Sequence, residues 1–501
     1  MKRAKPVSTN ALLLVVCLAQ FMVILDVSVV NIALPSMRTG LHFSTTGLQW
    51  VVNAYTITFA GFLMLGARSA DLLGRRRVLL AGTALFVLSS LACAVADSPA
   101  LLISARALQG FGGAIVSPTT LSIITSALPE GPERNRGLGL WAALGGLGAS
   151  SGALLGGLLT QWFGWPAIFA INAPIGAVVI ALGLRVIPAD ARRNTADARR
   201  NSADARRHGP RHFDVSGALL VTAGLTSLTY GIVRTDTLGW GSLGVLGPLA
   251  AAVVLIAAFL FVEGRVAEAP LVPLSIFRLS RLRAANLVVI LMYAALFSTF
   301  FFITLYLQQV LGDDALQAGL SFLPMTLAVF SGSFLAPRLV ARFGVRPVVT
   351  AGMIAAAAGL ALFTGVRPGG SYFALVLPGA VLSGLGMGLG LVSSTIAATA
   401  GVPAAQSGLA SGLLNMSRLF GGALGLAILS TLAASETHAT LRAGSAQALT
   451  NGFGLAFRVG ALFCVAGALL AAVQLREAPA TDVVEAPQDD DQLEDSEPLA
   501  A

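Results

Sequence analysis

The stretch VILDVSVVNIALP, residues 23–35, places one acidic side chain, Asp26, inside a long apolar run. About 20 apolar residues suffice to cross a bilayer as a helix, and a carboxylate near the middle of such a helix costs roughly 2.5–3.5 kcal/mol to insert. Ionisable residues retained at that cost are functional by default. Burial disfavours the charged form of a carboxyl group, so such a group can exchange protons near neutral pH. The stretch therefore predicts a membrane protein that uses protons; the alternative is a structural carboxyl group hydrogen-bonded to its neighbours.

The composition of the whole chain also indicates a membrane protein. Of 501 residues, 55% are hydrophobic and 11% are charged, and the mean hydropathy is +0.80. Soluble domains carry roughly 25% charged residues. Since lipid cannot satisfy backbone polar groups, long apolar runs are expected to be helices. Fourteen windows are long enough to span the bilayer: 10–34, 47–67, 78–96, 101–125, 137–159, 167–184, 215–233, 245–262, 285–307, 317–336, 348–366, 373–397, 408–432 and 454–475.

The distribution of basic residues predicts the orientation. With the N-terminus in the cytoplasm, segments on that side hold 25 of the 32 Lys and Arg residues, and segments on the other side hold four. Three more, Arg106, Arg418 and Arg458, fall inside predicted spans. Positive charge is retained on the cytoplasmic side, and one missed span would reverse every later loop. We therefore expect a bacterial inner-membrane protein with both termini in the cytoplasm, and the net charge of +8 does not indicate nucleic-acid binding.

The predicted spans divide into six, two and six. Sequence echoes link the two sets of six: ADLLGRRRVLLAG after span 2 with ARFGVRPVVTAG after span 10, and QGFGGAIVSP in span 4 with SGLGMGLGLVSS in span 12. These echoes indicate an internally duplicated transporter with an inserted hairpin. The predicted units are an N-terminal six-helix bundle, a cytoplasmic Arg-rich linker, an inserted helix pair, a C-terminal six-helix bundle and an acidic, disordered tail, at residues 1–187, 188–213, 214–264, 265–476 and 477–501. The linker contains ADARRNT, ADARRNS and ADARRHG at 189–209, which indicates either a solvated spacer or weak attraction to anionic headgroups.

The residues with catalytic or metal-binding potential are sparse. The three cysteines, Cys17, Cys93 and Cys464, all fall in apolar runs, and the four histidines fall in predicted loops. No phosphate-binding loop is present, and the cysteine spacing fits neither a disulfide framework nor a metal site. The sequence therefore predicts neither an enzyme nor a protein with a metal or cofactor.

Four motifs carry a resemblance to a known family. LDVSVVNIALP contains Asp26, Asn31 and Pro35; ARSADLLGRRR contains Asp71, Gly74, Arg75 and Arg76; RALQGFGGA contains Arg106, Gln109, Gly110 and Gly112; and span 5 contains Gly139, Gly148, Gly152, Gly156 and Gly157. Over nearly its whole length the chain resembles the fourteen-span drug:proton antiporter branch of the major facilitator superfamily. It departs from the family pattern at three positions: Ala67 replaces a glycine, Ser69 replaces a leucine, and Ala153 replaces a proline. The stretch FGWPAIFAINAPIG and the set Asn415, Arg418, Gly421 and Gly422 also resemble the branch.

The resemblance implies roles for these residues. Asp26 and Arg106 would couple transport to protons, and their comparable depth makes pairing sterically feasible. Asp71, Gly74, Arg75 and Arg76 would form a conformational latch between the halves. The glycines Gly148, Gly152, Gly156 and Gly157 would provide the antiporter helix packing and permit a bend, which Ala153 makes milder.

The candidate substrate cavity is predicted from the remaining polar and aromatic residues. It includes Asn31, Gln109, Phe297, Phe301, Asn415 and Arg418. Aromatic residues at helical spacing in span 9 are more often core or lipid-facing than pocket-lining. Three embedded arginines against one carboxylate disfavour divalent cations and favour neutral or weakly charged aromatic compounds.

Together these features predict a proton-coupled antiporter that exports hydrophobic small molecules, plausibly an antibiotic, as an all-α polytopic protein of fourteen transmembrane helices. The expected partners are the substrate, protons and the lipid bilayer, with no nucleic acid, and we expect a monomer. Two alternatives remain open: a proton-coupled transporter of an endogenous metabolite, and a membrane scaffold or sensor that does not transport.

Overall fold

The computed structural model describes residues 9–128, 132–187, 214–267, 276–277, 279–400, 402 and 407–475. These residues are overwhelmingly helical, and no strand occurs among them. The predicted linker with its triplicate at 189–209 and the predicted tail at 477–501 lie outside the described residues.

Within those ranges the chain forms fourteen long helices, which we number in chain order. They are α1 Thr9–Gly40, α2 Trp50–Leu73, α3 Arg75–Ala94, α4 Pro99–Ala127, α5 Pro132–Phe163, α6 Asn172–Val186, α7 Val215–Leu238, α8 Leu243–Phe261, α9 Ser280–Leu305, α10 Leu323–Phe343, α11 Val345–Phe363, α12 Leu377–Thr399, α13 Ser407–Ala439 and α14 Ser445–Gln474. Short helical segments precede α2, α6, α10 and α12 at Thr45–Leu48, Ala167–Ala170, Ala315–Ser321 and Tyr372–Val376, and others extend α8 and α9 through Val262–Val266 and Tyr306–Val310.

Thirteen helices of the described chain are long and apolar enough to cross a membrane. The all-helical membrane fold is therefore confirmed. The helix outside that set is α5, which is 32 residues long and contains residues whose side chains lie outside the described part of the structure. The fourteenth span therefore stays a prediction at α5. Several helices extend beyond the predicted windows, because a helix can continue into water after the apolar run has ended; α1 and α13 are 32 and 33 residues long.

The same helix pairs meet in the first six and the last six helices. In the first set α1 packs on α5 and α6, and α4 packs on α2 and α3. In the last set α9 packs on α13 and α14, and α12 packs on α10 and α11. Helix α7 lies against α2, α13 and α8, while α8 is outermost, with only 11% of its apolar window buried. This repetition supports the predicted duplication with an inserted pair.

Two corresponding turns also repeat. Gly74, between α2 and α3, has φ 99°, and Gly344, between α10 and α11, has φ 83°. Both angles lie in the region that side chains disfavour, so each turn requires glycine. The echo after span 10 therefore keeps the turn, although only one of the three arginines that directly follow Gly74 has a counterpart after Gly344, namely Arg346.

The two sets of six touch at the ends predicted to face outside. The Gln308 side chain donates to the Ile32 carbonyl oxygen at 2.8 Å, and Arg38 Nη1 donates to Gln309 Oε1 at 3.0 Å. Nearby, Ser430 Oγ in α13 donates to Gln49 Oε1, just before α2, at 2.6 Å. These contacts join helices that would separate if this end opened.

A cavity of about 480 Å³ lies at the same end, between the last turns of α1 and α5 and the loop before α10. Asp313 and Asp314 are among its lining residues. Partial burial, together with the neighbouring charge of Asp314, raises the pKa of the Asp313 carboxyl group above its ordinary value.

Candidate functional site

Asp26 lies at the centre of a buried hydrogen-bond network. Its side chain is 0% exposed, and Arg106 Nη1 donates to its Oδ2 at 2.6 Å. Its other oxygen, Oδ1, accepts from Gln109 Nε2 at 2.7 Å and from Asn172 Nδ2 at 2.9 Å. The carboxylate therefore receives three donors from α4 and α6. Hydrogen bonds in which a partner is ionised are shorter and stronger than neutral ones.

The local sequence explains how α4 supplies two of these donors. Arg106 and Gln109 are three residues apart, so both side chains leave the same face of the helix. Gly110 follows, where an added Cβ would collide with the Tyr55 carbonyl oxygen and Thr58 Oγ1 of α2. Glycine at that position lets α2 and α4 approach closely, which encloses the ion pair.

Arg106 is held on every side. It is 1% exposed, its Nε donates to the Val51 carbonyl oxygen at 3.0 Å, and its Nη1 also donates to Gln109 Oε1 at 2.7 Å. Its guanidinium carbon lies 4.3 Å from the ring centroid of Tyr55 and 5.6 Å from that of Phe169. Aromatic faces attract a cation, so two rings add to the charge compensation that Asp26 provides.

Asn172 is a site residue that the sequence analysis did not single out. It is 0% exposed at the start of α6, and its Nδ2 also donates to Ser90 Oγ of α3 at 3.0 Å. Ser90 in turn donates to the Phe169 carbonyl oxygen at 2.8 Å. The available signal was a lone amide in the apolar stretch FGWPAIFAINAPIG, which we quoted for its family resemblance without assigning the amide a partner.

Two polar atoms beside the pair have no hydrogen-bond partner among the described residues. They are the Tyr55 hydroxyl and Asn172 Oδ1. Buried polar atoms are normally satisfied. Both atoms can accept a hydrogen bond, and a neutral carboxyl group, unlike a carboxylate, can donate one.

The glycines predicted for helix packing in α5 lie against α1, the helix that carries Asp26. A Cβ at Gly148 would lie 3.3 Å from Ile24, one at Gly152 would collide with Ser28, and one at Gly156 would lie 2.8 Å from the Val29 carbonyl oxygen. A Cβ at Gly157 would instead lie 2.6 Å from the Ala315 carbonyl oxygen, before α10. The helix runs unbroken through Ala153, with no internal proline.

The predicted latch residues lie at the α2–α3 turn. Arg75 Nε donates to Ser122 Oγ of α4 at 2.8 Å, and Arg76 Nη2 donates to the Leu184 carbonyl oxygen of α6 at 2.7 Å. Both bonds stay within the first six helices. The side chain of Asp71 lies outside the described part of the structure.

The residues predicted for the substrate cavity are not all together. Gln109 belongs to the Asp26 network, and Phe301 is 2% exposed and packs edge to face on Phe302. In this conformation neither borders open space. Asn31 donates to the Val27 carbonyl oxygen of its own helix at 3.3 Å.

The other three predicted cavity residues do lie together, near the middle of α13. Arg418 Nη1 donates to Asn415 Oδ1 at 2.9 Å, and the Phe297 ring lies 3.1 Å from the position of a Cβ on Gly422. No hydrogen bond among the described residues links this cluster to the Asp26 network.

Comparison with known proteins identifies relatives of the chain. The model of the Major Facilitator Superfamily matches residues 16–426 and 286–497. The chain is 39% identical over 475 residues to the cephamycin export protein CmcT of Amycolatopsis lactamdurans, covering 94% of each. It is 36% identical over 466 residues to the puromycin resistance protein pur8 of Streptomyces alboniger, covering 91% of this chain and 89% of the relative.

Solved structures with the same fold include transporters of different cargoes. The POT family transporter PepTSo superposes with a TM-score of 0.66 at 17% identity, over 94% of this chain and 98% of that one. The nucleoside transporter NupG superposes with a TM-score of 0.64 at 15% identity, over 93% and 100%. At these identities the likeness concerns the fold.

Proposed function

The chain belongs to the major facilitator superfamily, and on that premise we propose that it exports hydrophobic antibiotic-like molecules across the bacterial inner membrane in exchange for protons. The names of its relatives support the direction and the cargo: one is an export protein for cephamycin, and others are resistance proteins for puromycin and lincomycin. We propose a monomer with both termini in the cytoplasm.

The observation that carries the proton coupling is the fully buried Asp26–Arg106 pair. A buried ion pair is stable only while both partners are charged, and removing one partner costs roughly 3–5 kcal/mol. Protonation of Asp26 neutralises one partner, so it weakens the attraction that ties α1 to α4. An approximately 100 mV membrane potential supplies ~2.3 kcal/mol per proton, which is of comparable size.

The residues around the pair support a proton carried at Asp26. Neutral Asp26 needs an acceptor for its O–H, and Asn172 Oδ1 is unpartnered in the described structure. Rotation of that amide would turn an acceptor toward the carboxyl group. Arg106 would keep the Val51 carbonyl oxygen and the Tyr55 ring as partners. Each charge state therefore has a hydrogen-bonding arrangement available to it.

Alternating access would follow from movement of the first six helices against the last six. The contacts at the outer end, from Gln308 to Ile32 and from Arg38 to Gln309, would break when that end opens. Gly74, Arg75 and Arg76 would stabilise one conformation by fixing the α2–α3 turn against α4 and α6. Proton binding that shifts the equilibrium between these two conformations can drive export.

Purified protein in proteoliposomes tests this proposal. Addition of a cephamycin, the cargo named for one relative, should release protons from the wild-type protein, and Asp26→Asn should abolish that release while still binding the compound. Asp97→Asn is the matched control, because Asp97 is exposed in the loop after α3. Wild-type coupling in Asp26→Asn would refute the role of Asp26. No proton release with any compound of a broad antibiotic panel would favour a non-transporting membrane scaffold or a transporter of an endogenous metabolite.

A further inference from the structure

Arg418 is a second embedded cation, and its situation differs from that of Arg106. No carboxylate pairs with it among the described residues: its hydrogen bonds are to Asn415 Oδ1 at 2.9 Å and to Thr395 Oγ1 at 2.8 Å. Its Nε is buried without a partner. Both partners are neutral, so no acidic group compensates the positive charge of Arg418 among the residues that the structure describes. Arg418 is partly exposed, so the rest of its guanidinium group faces open space rather than a charged protein partner.

The register of α13 shows which way this cation faces. An α-helix turns about 100° per residue. Gly412 lies against Met64 of α2, and Gly421, on nearly the opposite side, lies against Ile290 of α9. Thr431 donates to the Ile232 carbonyl oxygen of α7, which occupies a third side. Asn415, Arg418 and Gly422 occupy the fourth side, away from α7 and between α2 and α9.

The neighbours of Arg418 on that side form a crevice with an apolar wall. Thr395 comes from α12, and Phe297 of α9 packs on Gly422. Tyr293, one turn before Phe297, lies on the same face of α9. Asn415 is exposed and Phe297 is partly exposed, so the crevice is open at this point. A cation with spare donors beside an aromatic ring is complementary to an anion attached to an apolar body.

Arg458, the third arginine inside a predicted span, provides a contrast. Arg458 of α14 is exposed and shares its helix face with Leu462 and Leu469, which are 64% and 63% exposed. It therefore lies on the outside of the bundle, where a long side chain can reach the interface. Arg418 is turned inward and cannot be satisfied in this way.

We propose that Arg418 binds a negatively charged oxygen group of the substrate, such as a carboxylate, while the apolar part of the molecule packs against Phe297. The guanidinium group has five donors in a planar fork, and a carboxylate accepts two of them in parallel. The inference rests on the proposed export function, since it names the chemical class of the cargo. It requires that monoanions bind more tightly than neutral molecules of the same shape.

A matched pair of probes tests this requirement. Binding of 1-naphthoate and of 1-naphthamide, which has the same ring and no charge, is measured on purified full-length protein in nanodiscs. Wild type should bind the anion about ten- to hundredfold more tightly, the range expected for hydrogen bonds to a charged group. Arg418→Gln should lose that preference, Arg418→Lys should keep part of it, and Arg458→Gln should keep all of it.

Each outcome decides the question. Equal wild-type affinity for the two probes, no binding of either, or an undiminished preference in Arg418→Gln would overturn the inference. Thr395→Val retains the cation and should weaken naphthoate only severalfold, so it separates charge recognition from a fold defect in the Gln variant. A preference for the anion without proton-driven transport would instead contradict the export function and leave the binding site intact.

Discussion

Replacing Asn172 by alanine should change the proton dependence of transport. The substitution removes the hydrogen bond from Nδ2 to Asp26 Oδ1 at 2.9 Å and the one to Ser90 Oγ at 3.0 Å. The first bond is stronger while the carboxylate is charged, since hydrogen bonds to charged groups contribute roughly 1.5–3 kcal/mol. Its loss favours the protonated form, and about 1.4 kcal/mol corresponds to a factor of ten. Because Arg106 and Gln109 still donate to Asp26, we expect the lower end of this range.

The proton concentration for half-maximal coupling should therefore fall about tenfold in Asn172→Ala, which moves the midpoint up by about one pH unit. The assay is the initial rate of substrate-driven proton release from proteoliposomes as a function of pH. Asn286→Ala is the matched control: Asn286 is also a buried amide in a spanning helix, and it bonds Ser417 and the Leu282 carbonyl oxygen without touching Asp26. An unchanged midpoint in Asn172→Ala, or one that moves toward acid, would refute the role assigned to this amide.

Three further predictions concern packing, the turn and the outer end. Gly156→Ala should destabilise the protein by about 1–3 kcal/mol, because the new Cβ lies 2.8 Å from the Val29 carbonyl oxygen. Gly247→Ala, with nothing within 4 Å, should be neutral or stabilising, so equal shifts of the thermal midpoint in the two variants would contradict the packing argument. Gly74→Ala should cost about 1–3 kcal/mol because φ is 99°, and an unchanged thermal midpoint would show that the turn tolerates a side chain. The raised pKa of Asp313 means that the closed outer end holds a proton more tightly than an open one, so closure should be favoured at acidic pH and weaken as pH rises through that raised pKa. A cysteine is placed at Ser36, a partly buried residue that lines the cavity, in a background without the three native cysteines. Its labelling rate, divided at each pH by that of a free thiol because the thiolate is the reactive form, should quicken with rising pH, and Asp313→Asn should remove this dependence. A pH profile of that ratio retained in Asp313→Asn would exclude the carboxyl group as its source.

The sequence predicted the spanning helices because apolar length is a local property that lipid enforces. It also brought attention to Asp26 and Arg106, since a charge in an apolar run is conspicuous in one dimension. Asn172 and Ser90 escaped notice because a neutral polar residue in a membrane helix costs little, and its partner is visible only after α3, α4 and α6 have packed. Gln109 and Phe301 were predicted to line the substrate cavity because their residue types suit one. Helix rotation and tertiary packing decide which way each side chain points, and the sequence does not show either.

The inner face of α13 has a consequence for how such exporters diversify. The acidic group that would sense the energy source lies in the first six helices, whereas the uncompensated guanidinium lies in the last six, and no hydrogen bond joins the two clusters in the described structure. Under these proposed roles, recombination that exchanges only the downstream gene segment would change which compounds are recognised and leave the proton-coupling residues unchanged. Selection for export of a new compound would then act mainly on the last six helices.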